Sequence, residues 1–221
     1  MTWKTPVLAL LTGAILSACG GRSITPAAQV AAPANYAHAK LVTIVSNLAS
    51  YASGRYWAFE GSPVTGPEGQ RGFPENWRAV AFSPSANHTA TAVQVGVALS
   101  SGTNGLVLSL NRDDKGVPGK AIATAQLSDL PAFGTCCTIK AATLGKGVPL
   151  KAGTRYWVVV STNSSELTTN ATWMYNDTDQ VDSFLEASYC PTNCGSASGW
   201  TPYQSDTVSG SELAYAVLGS N

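Results

Sequence analysis

The chain has 221 residues, with 13 Lys and Arg against 13 Asp and Glu, 12% charged residues, 44% apolar residues and five cysteines. A nucleic-acid binder needs clustered cations to displace counterions from phosphates, and a disordered chain combines high net charge with low hydrophobicity; a neutral, apolar-rich composition excludes both. The 21 Gly and 12 Pro, with so few charges to lace helix surfaces, favour short strands and turns.

Residues 1–18 read as a signal peptide. A single early cation, Lys4, precedes the apolar run Val7-Leu8-Ala9-Leu10-Leu11, too short for a spanning helix of about 20 residues, and the segment closes on Leu16-Ser17-Ala18-Cys19. Leu-Ser-Ala-Cys resembles the bacterial lipobox, which implies that Cys19 becomes the acylated N-terminus after cleavage. Each buried CH2 contributes about 0.8 kcal/mol, so the several chains of a bacterial lipoprotein hold firmly where one chain holds marginally. The plainer alternative is an ordinary signal peptide with an incidental cysteine. Gly20 follows Cys19 where, by the same resemblance, an Asp would mark inner-membrane retention, so an outer-membrane position is expected. Residues 19–40 hold Pro26 and Pro33 and show no sustained period, the composition of a flexible linker. Nothing beyond the lipid offers a membrane contact, since the sequence shows no polybasic run.

Residues 41–221 change to short apolar segments punctuated by Gly, Pro, Asn and Asp. Val93, Val95, Val97 and Leu99 alternate with Ala92, Gln94, Gly96 and Ala98, the period of a strand with one buried face, and Leu106, Leu108 and Leu110 repeat it. Turn chemistry lies in Ser101–Gly105 and in 113–119, where Pro118-Gly119 fits the centre of a type II turn. Tyr156-Trp157-Val158-Val159-Val160 is a continuous run, expected of a strand buried on both faces or bulged. Leu213, Tyr215 and Val217 predict a last strand. No amphipathic helical stretch exceeds a few turns. A single domain of this size buries roughly 70% of its extended surface, and the spacing of short strands predicts an all-β, jelly-roll-like antiparallel β-sandwich.

An ordered set of short motifs carries a family resemblance. Asn47-Leu48, Tyr56-Trp57, Val80-Ala81-Phe82-Ser83-Pro84, Ser101-Gly102-Thr103, Gly116-Val117-Pro118-Gly119, Leu130-Pro131-Ala132-Phe133-Gly134, Leu150-Lys151-Ala152-Gly153-Thr154-Arg155-Tyr156-Trp157 and Ala214–Gly219 together are similar to choice-of-anchor R type domains. That resemblance implies an exported bacterial protein with a surface anchor, and it brings no established catalytic residues.

Beyond Cys19 the cysteines are Cys136, Cys137, Cys190 and Cys194. In an oxidising envelope they read as disulfides, and bridges from the 136–137 segment to the 190–194 loop are favoured over a bond between the adjacent pair. Four thiolates could bind zinc, but two adjacent ligands and a three-residue gap are poor spacing. Only His38 and His88 could serve as a catalytic base, one in the linker and one in a turn, and no catalytic residue is assigned. Glu60, Glu75 and Glu186 read as solvated loop charges. Asp177, Asp179 and Asp182 supply hard oxygens that could hold Ca2+, without the spacing and Gly of an EF-hand loop, so no cofactor is required.

The aromatic residues Trp57, Phe73, Trp77, Trp173, Tyr175, Trp200 and Tyr203 fall largely in Gly-, Pro- and Asn-rich segments. Such rings can stack on sugars beside a few directional polar groups, or can simply cover the ends of a sandwich. The expectation is a lipid-anchored, non-catalytic envelope module with a structural or protein-binding role. A glycan-binding module is the alternative and an envelope hydrolase the third reading.

Overall fold

Strand after strand follows from period-2 patterning, and no described residue is helical. The computed structural model describes residues 41–48, 56–69, 75–176, 185–190, 199–204 and 212–221, with backbone alone at 185, 186, 190 and 202–204, all within the unit His38–Asn221. The strands are β1 (Val42–Ser46), β2 (Gly61–Thr65), β3 (Trp77–Phe82), β4 (His88–Val95), β5 (Val97–Ser101), β6 (Gly105–Asp114), β7 (Val117–Ser128), β8 (Lys140–Leu150), β9 (Tyr156–Ser161), β10 (Asn170–Met174), β11 (Leu185–Cys190), β12 (Gly199–Gln204) and β13 (Tyr215–Ser220).

A six-stranded sheet in the order β12-β11-β3-β9-β6-β7 makes one layer. A four-stranded sheet, β1-β13-β4-β8, and a three-stranded sheet, β2-β10-β5, make the other, and all the strand pairings are antiparallel. Backbone bonds join the two smaller sheets: Gly96 N donates to Ala214 O (3.0 Å), Ala214 N to Met174 O (2.8 Å) and Met174 N to Gly96 O (2.8 Å). The main core lies between the layers. Val80, Phe82, Leu106, Leu108, Leu110, Val158 and Val160 meet Val93, Val95, Trp173, Leu213, Tyr215 and Val217 across it. The chain is therefore an all-β sandwich.

The alternation from 92 to 99 suggests one strand, and the structure divides it. At Gly96 the chain leaves the four-stranded sheet as β4 and enters the three-stranded one as β5. A Cβ at Gly96 would lie 2.8 Å from Tyr56 Cδ1, so glycine lets the Tyr56 ring close over the break. The turn expected at Pro118-Gly119 lies earlier. Lys115 (φ 56) and Gly116 (φ 90) both take the positive φ of a type I′ hairpin, Asp113 Oδ2 accepts Gly116 N (3.1 Å), and Pro118 and Gly119 belong to β7. β9 answers the continuous run from 156, because all six of its residues are buried.

That double burial reflects the curvature of the six-stranded sheet. Its edge strands β12 and β7 approach within 8 Å at Cα while the other layer fills its inner side, so the sheet curls about its outer face. Ala79, Ala81, Trp157, Val159 and Ala187 form a second apolar cluster there, with Trp200 against it. Small side chains at three of these positions leave room for the fully buried Trp157 ring, whose Nε1 donates to Asp113 Oδ1 (2.8 Å).

Candidate functional site

Two irregular segments strap the outer side of the three-stranded sheet. The segment 130–139 runs along β5: Leu99 N donates to Pro131 O (2.7 Å) and Phe133 N to Leu99 O (2.8 Å), while Asn104 ties Leu130 through both its amide atoms. The segment 56–60 crosses the end of β10, with Trp57 N donating to Tyr175 O (2.9 Å) and Tyr175 N to Glu60 O (3.0 Å). Gly134 N then bonds Ala58 O (3.1 Å), which joins the straps, and Tyr56 OH donates to Thr138 O (3.3 Å). Burial pushes the Tyr56 phenol above its ordinary range.

The junction presents large apolar rings to solvent. Phe59 is 72% exposed, Trp57 45% and Phe133 40%, and Phe59 meets Phe133 edge to face at a centroid distance of 6.3 Å. Gly134, at φ 83, lies under the Phe59 ring, where a Cβ would sit 2.9 Å from Cε1. Beneath this surface Tyr56, Ala98, Met174 and Ala214 form a small buried cluster against which Cys137 packs. The rings thus stand over hydrogen-bonded backbone and a buried apolar cluster.

Beside them stand Cys136 and Cys137, adjacent in the chain with their Cα atoms 3.1 Å apart. Cys137 Sγ lies 3.3 Å from Tyr56 O. Cys190 is described at its backbone alone, and Cys194 lies outside the described residues.

The sequence-predicted aromatic residues do not form one surface. Trp173 is corrected from ligand contact to core: it is fully buried on β10, and its Nε1 donates to Ala214 O (2.9 Å). Tyr175 is half-buried, its hydroxyl 3.1 Å from Ser62 Oγ. Trp77 and Trp200 share the outer face of the six-stranded sheet with Tyr189 between them, since Tyr189 pairs in register with both. Trp77 stacks on Tyr189 at 4.5 Å and 20°, and Tyr189 meets Trp200 at 5.3 Å and 49°. These half-buried rings face one another and do not make a coplanar platform. Trp77 Nε1 donates to Thr162 Oγ1 (3.1 Å), which in turn donates to Glu75 Oε1 (3.3 Å). Tyr203 lies on β12, described at its backbone alone, and Phe73, Cys19, His38, Asp177, Asp179 and Asp182 lie outside the described residues.

Several polar residues outside the candidate sites are buried. Glu166 accepts from Gln126 Nε2 and from Asn163 N (2.9 Å), holding its own turn. Asn47 ties β1 to the last strand: its Nδ2 donates to Leu213 O (2.9 Å) and Glu212 Oε2 (3.3 Å), and its Oδ1 accepts Tyr215 N (2.7 Å). Phe59, Phe133 and Tyr189 escape a reading of the sequence as surface or stacking groups. Phe133 sits in the motif 130–134, and Phe59 stands two residues from Trp57, but no local period shows that both rings emerge at one place.

No model of a known protein family matches the chain, and no curated protein matches it.

Proposed function

We propose that this chain is an exported, lipid-anchored, non-catalytic module of the bacterial envelope that works by binding another envelope protein. The observation that carries the reading is the exposed aromatic surface of Trp57, Phe59 and Phe133 on strapped, hydrogen-bonded backbone. Isolated exposed apolar residues need no explanation, but grouped large rings leave apolar area in water that a partner would cover. The lipobox at Leu16–Cys19, the linker 19–40 and the resemblance to choice-of-anchor R domains support export and tethering, with the domain held off the outer membrane.

Two experiments test it. Cys19→Ser should abolish metabolic acyl labelling and release the protein from membranes; unchanged labelling would remove the anchor. A photo-crosslinking side chain placed at Phe59 in living cells should give one adduct of defined mass, absent from the same probe at Leu167, an apolar residue 41% exposed elsewhere. Equal adducts from both positions, or none, would end the protein-binding reading.

A second reading, glycan binding, is favoured by the row Trp77, Tyr189 and Trp200 beside Thr162 and Glu75. Titration with polysaccharides should then give a saturable tryptophan fluorescence shift that Trp200→Ala removes. A flat response across the panel would discard it. Trp173→Ala is unsuitable as a probe, because it would empty the core.

A further inference from the structure

Where β7 faces β8, at the open edge of the sandwich, lies a cleft of about 930 Å3 lined by Arg112, Lys120, Lys151 and Arg155 over Ile122, Val148, Pro149 and Tyr156. Four of the chain's 13 cations meet here, although they stand far apart in sequence, on the end of β6, the start of β7 and either side of the turn before β9. Register explains part of the convergence. Arg112 pairs with Tyr156, so it shares the inward-facing side of the sheet with that buried ring.

The carboxylate lining the cleft is Asp113, and its oxygens are already engaged. Oδ1 accepts Trp157 Nε1 (2.8 Å) and faces Arg155 Nη1 at 3.8 Å, while Oδ2 accepts Gly116 N (3.1 Å). Among the described residues, Arg112, Lys120 and Lys151 have no ion-pair partner. An evenly solvated surface on a neutral chain would intersperse its acids, whereas this concavity concentrates one sign of charge around an apolar floor.

We propose that this cleft binds an organic anion that carries at least two phosphate or carboxylate groups. Arginine supplies a planar fork that matches either group bidentately, lysine supplies point charges, and Ile122, Val148 and Pro149 give the body of the ligand an apolar floor. The volume exceeds what one inorganic anion fills and lies within the usual range of small-molecule sites. This site is separate from the aromatic surface of the straps and does not rest on that surface's role. Its ligand is drawn toward Arg155 and hence toward the Asp113–Trp157 bond, so Trp157 reports occupancy.

The test uses the full-length chain in detergent, titrated with tripolyphosphate, trigalacturonate and neutral maltotriose. The expected result is saturable, salt-sensitive binding of at least one anion, read by calorimetry and tryptophan fluorescence, with none for maltotriose. Whichever anion binds more tightly names the preferred group. Arg112→Gln with Lys120→Gln should weaken it by about tenfold or more, because each removes a charge-assisted contact. Both residues are exposed, so the fold should hold, as unchanged thermal unfolding would show. Lys140→Gln, whose ammonium instead reaches Asp129 O (3.2 Å), should leave affinity unchanged. The proposal fails if neither anion saturates, if the double variant binds as wild type, or if phosphatidylglycerol vesicles sediment the protein while both free anions leave it unliganded.

Discussion

The two faces of the six-stranded sheet are built by the same strands and solve opposite problems. The inner face carries Leu106, Leu108, Leu110, Val80, Phe82, Val158 and Val160, large side chains that fill the gap between layers. On the outer face, Ala79, Ala81 and Ala187 surround Trp157, while buried Ser109, Asn111 and Ser161 share the same side. Its polar groups are partnered locally: Ser109 Oγ donates to Asn111 Oδ1 (2.7 Å), Asn111 Nδ2 to Gly119 O (2.7 Å) and Ser161 Oγ to Val107 O (3.5 Å). Packing between layers thus rests on volume, and packing inside a curled sheet rests on small residues and satisfied hydrogen bonds.

The largest effects are expected where each face is most committed. Trp157→Ala removes a fully buried ring and leaves a cavity that the curl cannot close, so it should cost about 3–5 kcal/mol; Leu108→Ala should cost about 2–5 kcal/mol on the inner face. Urea unfolding monitored by circular dichroism measures both. If Trp157→Ala cost less than about 1 kcal/mol, the outer face would be a covered surface and not a second core.

A smaller effect separates polar from apolar packing. Ser109→Ala deletes the hydroxyl that donates to Asn111 and should cost about 1 kcal/mol, whereas Asn111→Ala also leaves Gly119 O without its side-chain donor and should cost about 1–3 kcal/mol. Equal losses for the two variants would show that solvent reaches the Gly119 carbonyl.

Much of the inner face is legible in the amino-acid sequence, because a face packed on another layer imposes period 2 on its own strand. Leu106, Leu108 and Leu110 show it, as do Leu213, Tyr215 and Val217, all fully buried. The outer face is not legible beyond β9. Ser109 and Asn111 read as solvent-facing partners in that alternation, and their burial depends on the long-range approach of β12 to β7. The same limit governs the candidate sites. Trp173 alternates with Thr172 and shares its side with Ala171, a strand signal masked by its Asn-rich flanks; Trp77 looks similar in sequence and lies half-buried outside. Phe59 and Phe133 meet through backbone bonds between distant straps, and the four cations of the cleft meet through strand register. Neither meeting leaves a local trace.

The subtlest expectation concerns a tyrosine hydroxyl that intrudes into the inner core. Tyr215 packs against Phe82 with ring centroids 6.5 Å apart, and among the described residues its buried hydroxyl has no hydrogen-bond partner, unlike the outer-face polar groups. Burial, reinforced by the charge of Glu212, holds its phenol far above the ordinary range near 10, so the folded chain keeps the proton while the unfolded chain releases it above about pH 10. A raised folded-state pKa gives stability that is complete below pH 10 and falls as pH rises, by about 1.4 kcal/mol per unit from this residue. Tyr215→Phe deletes that term and the unpaired hydroxyl together. At pH 7 the variant should match wild type or exceed it by up to about 1 kcal/mol, and by pH 11 its advantage should grow by about a further 1.4 kcal/mol. Urea midpoints for both proteins at pH 7, 10 and 11 would read the divergence. Parallel curves would mean that water or a partner reaches the hydroxyl, and the inner face would then share the polar logic of the outer one.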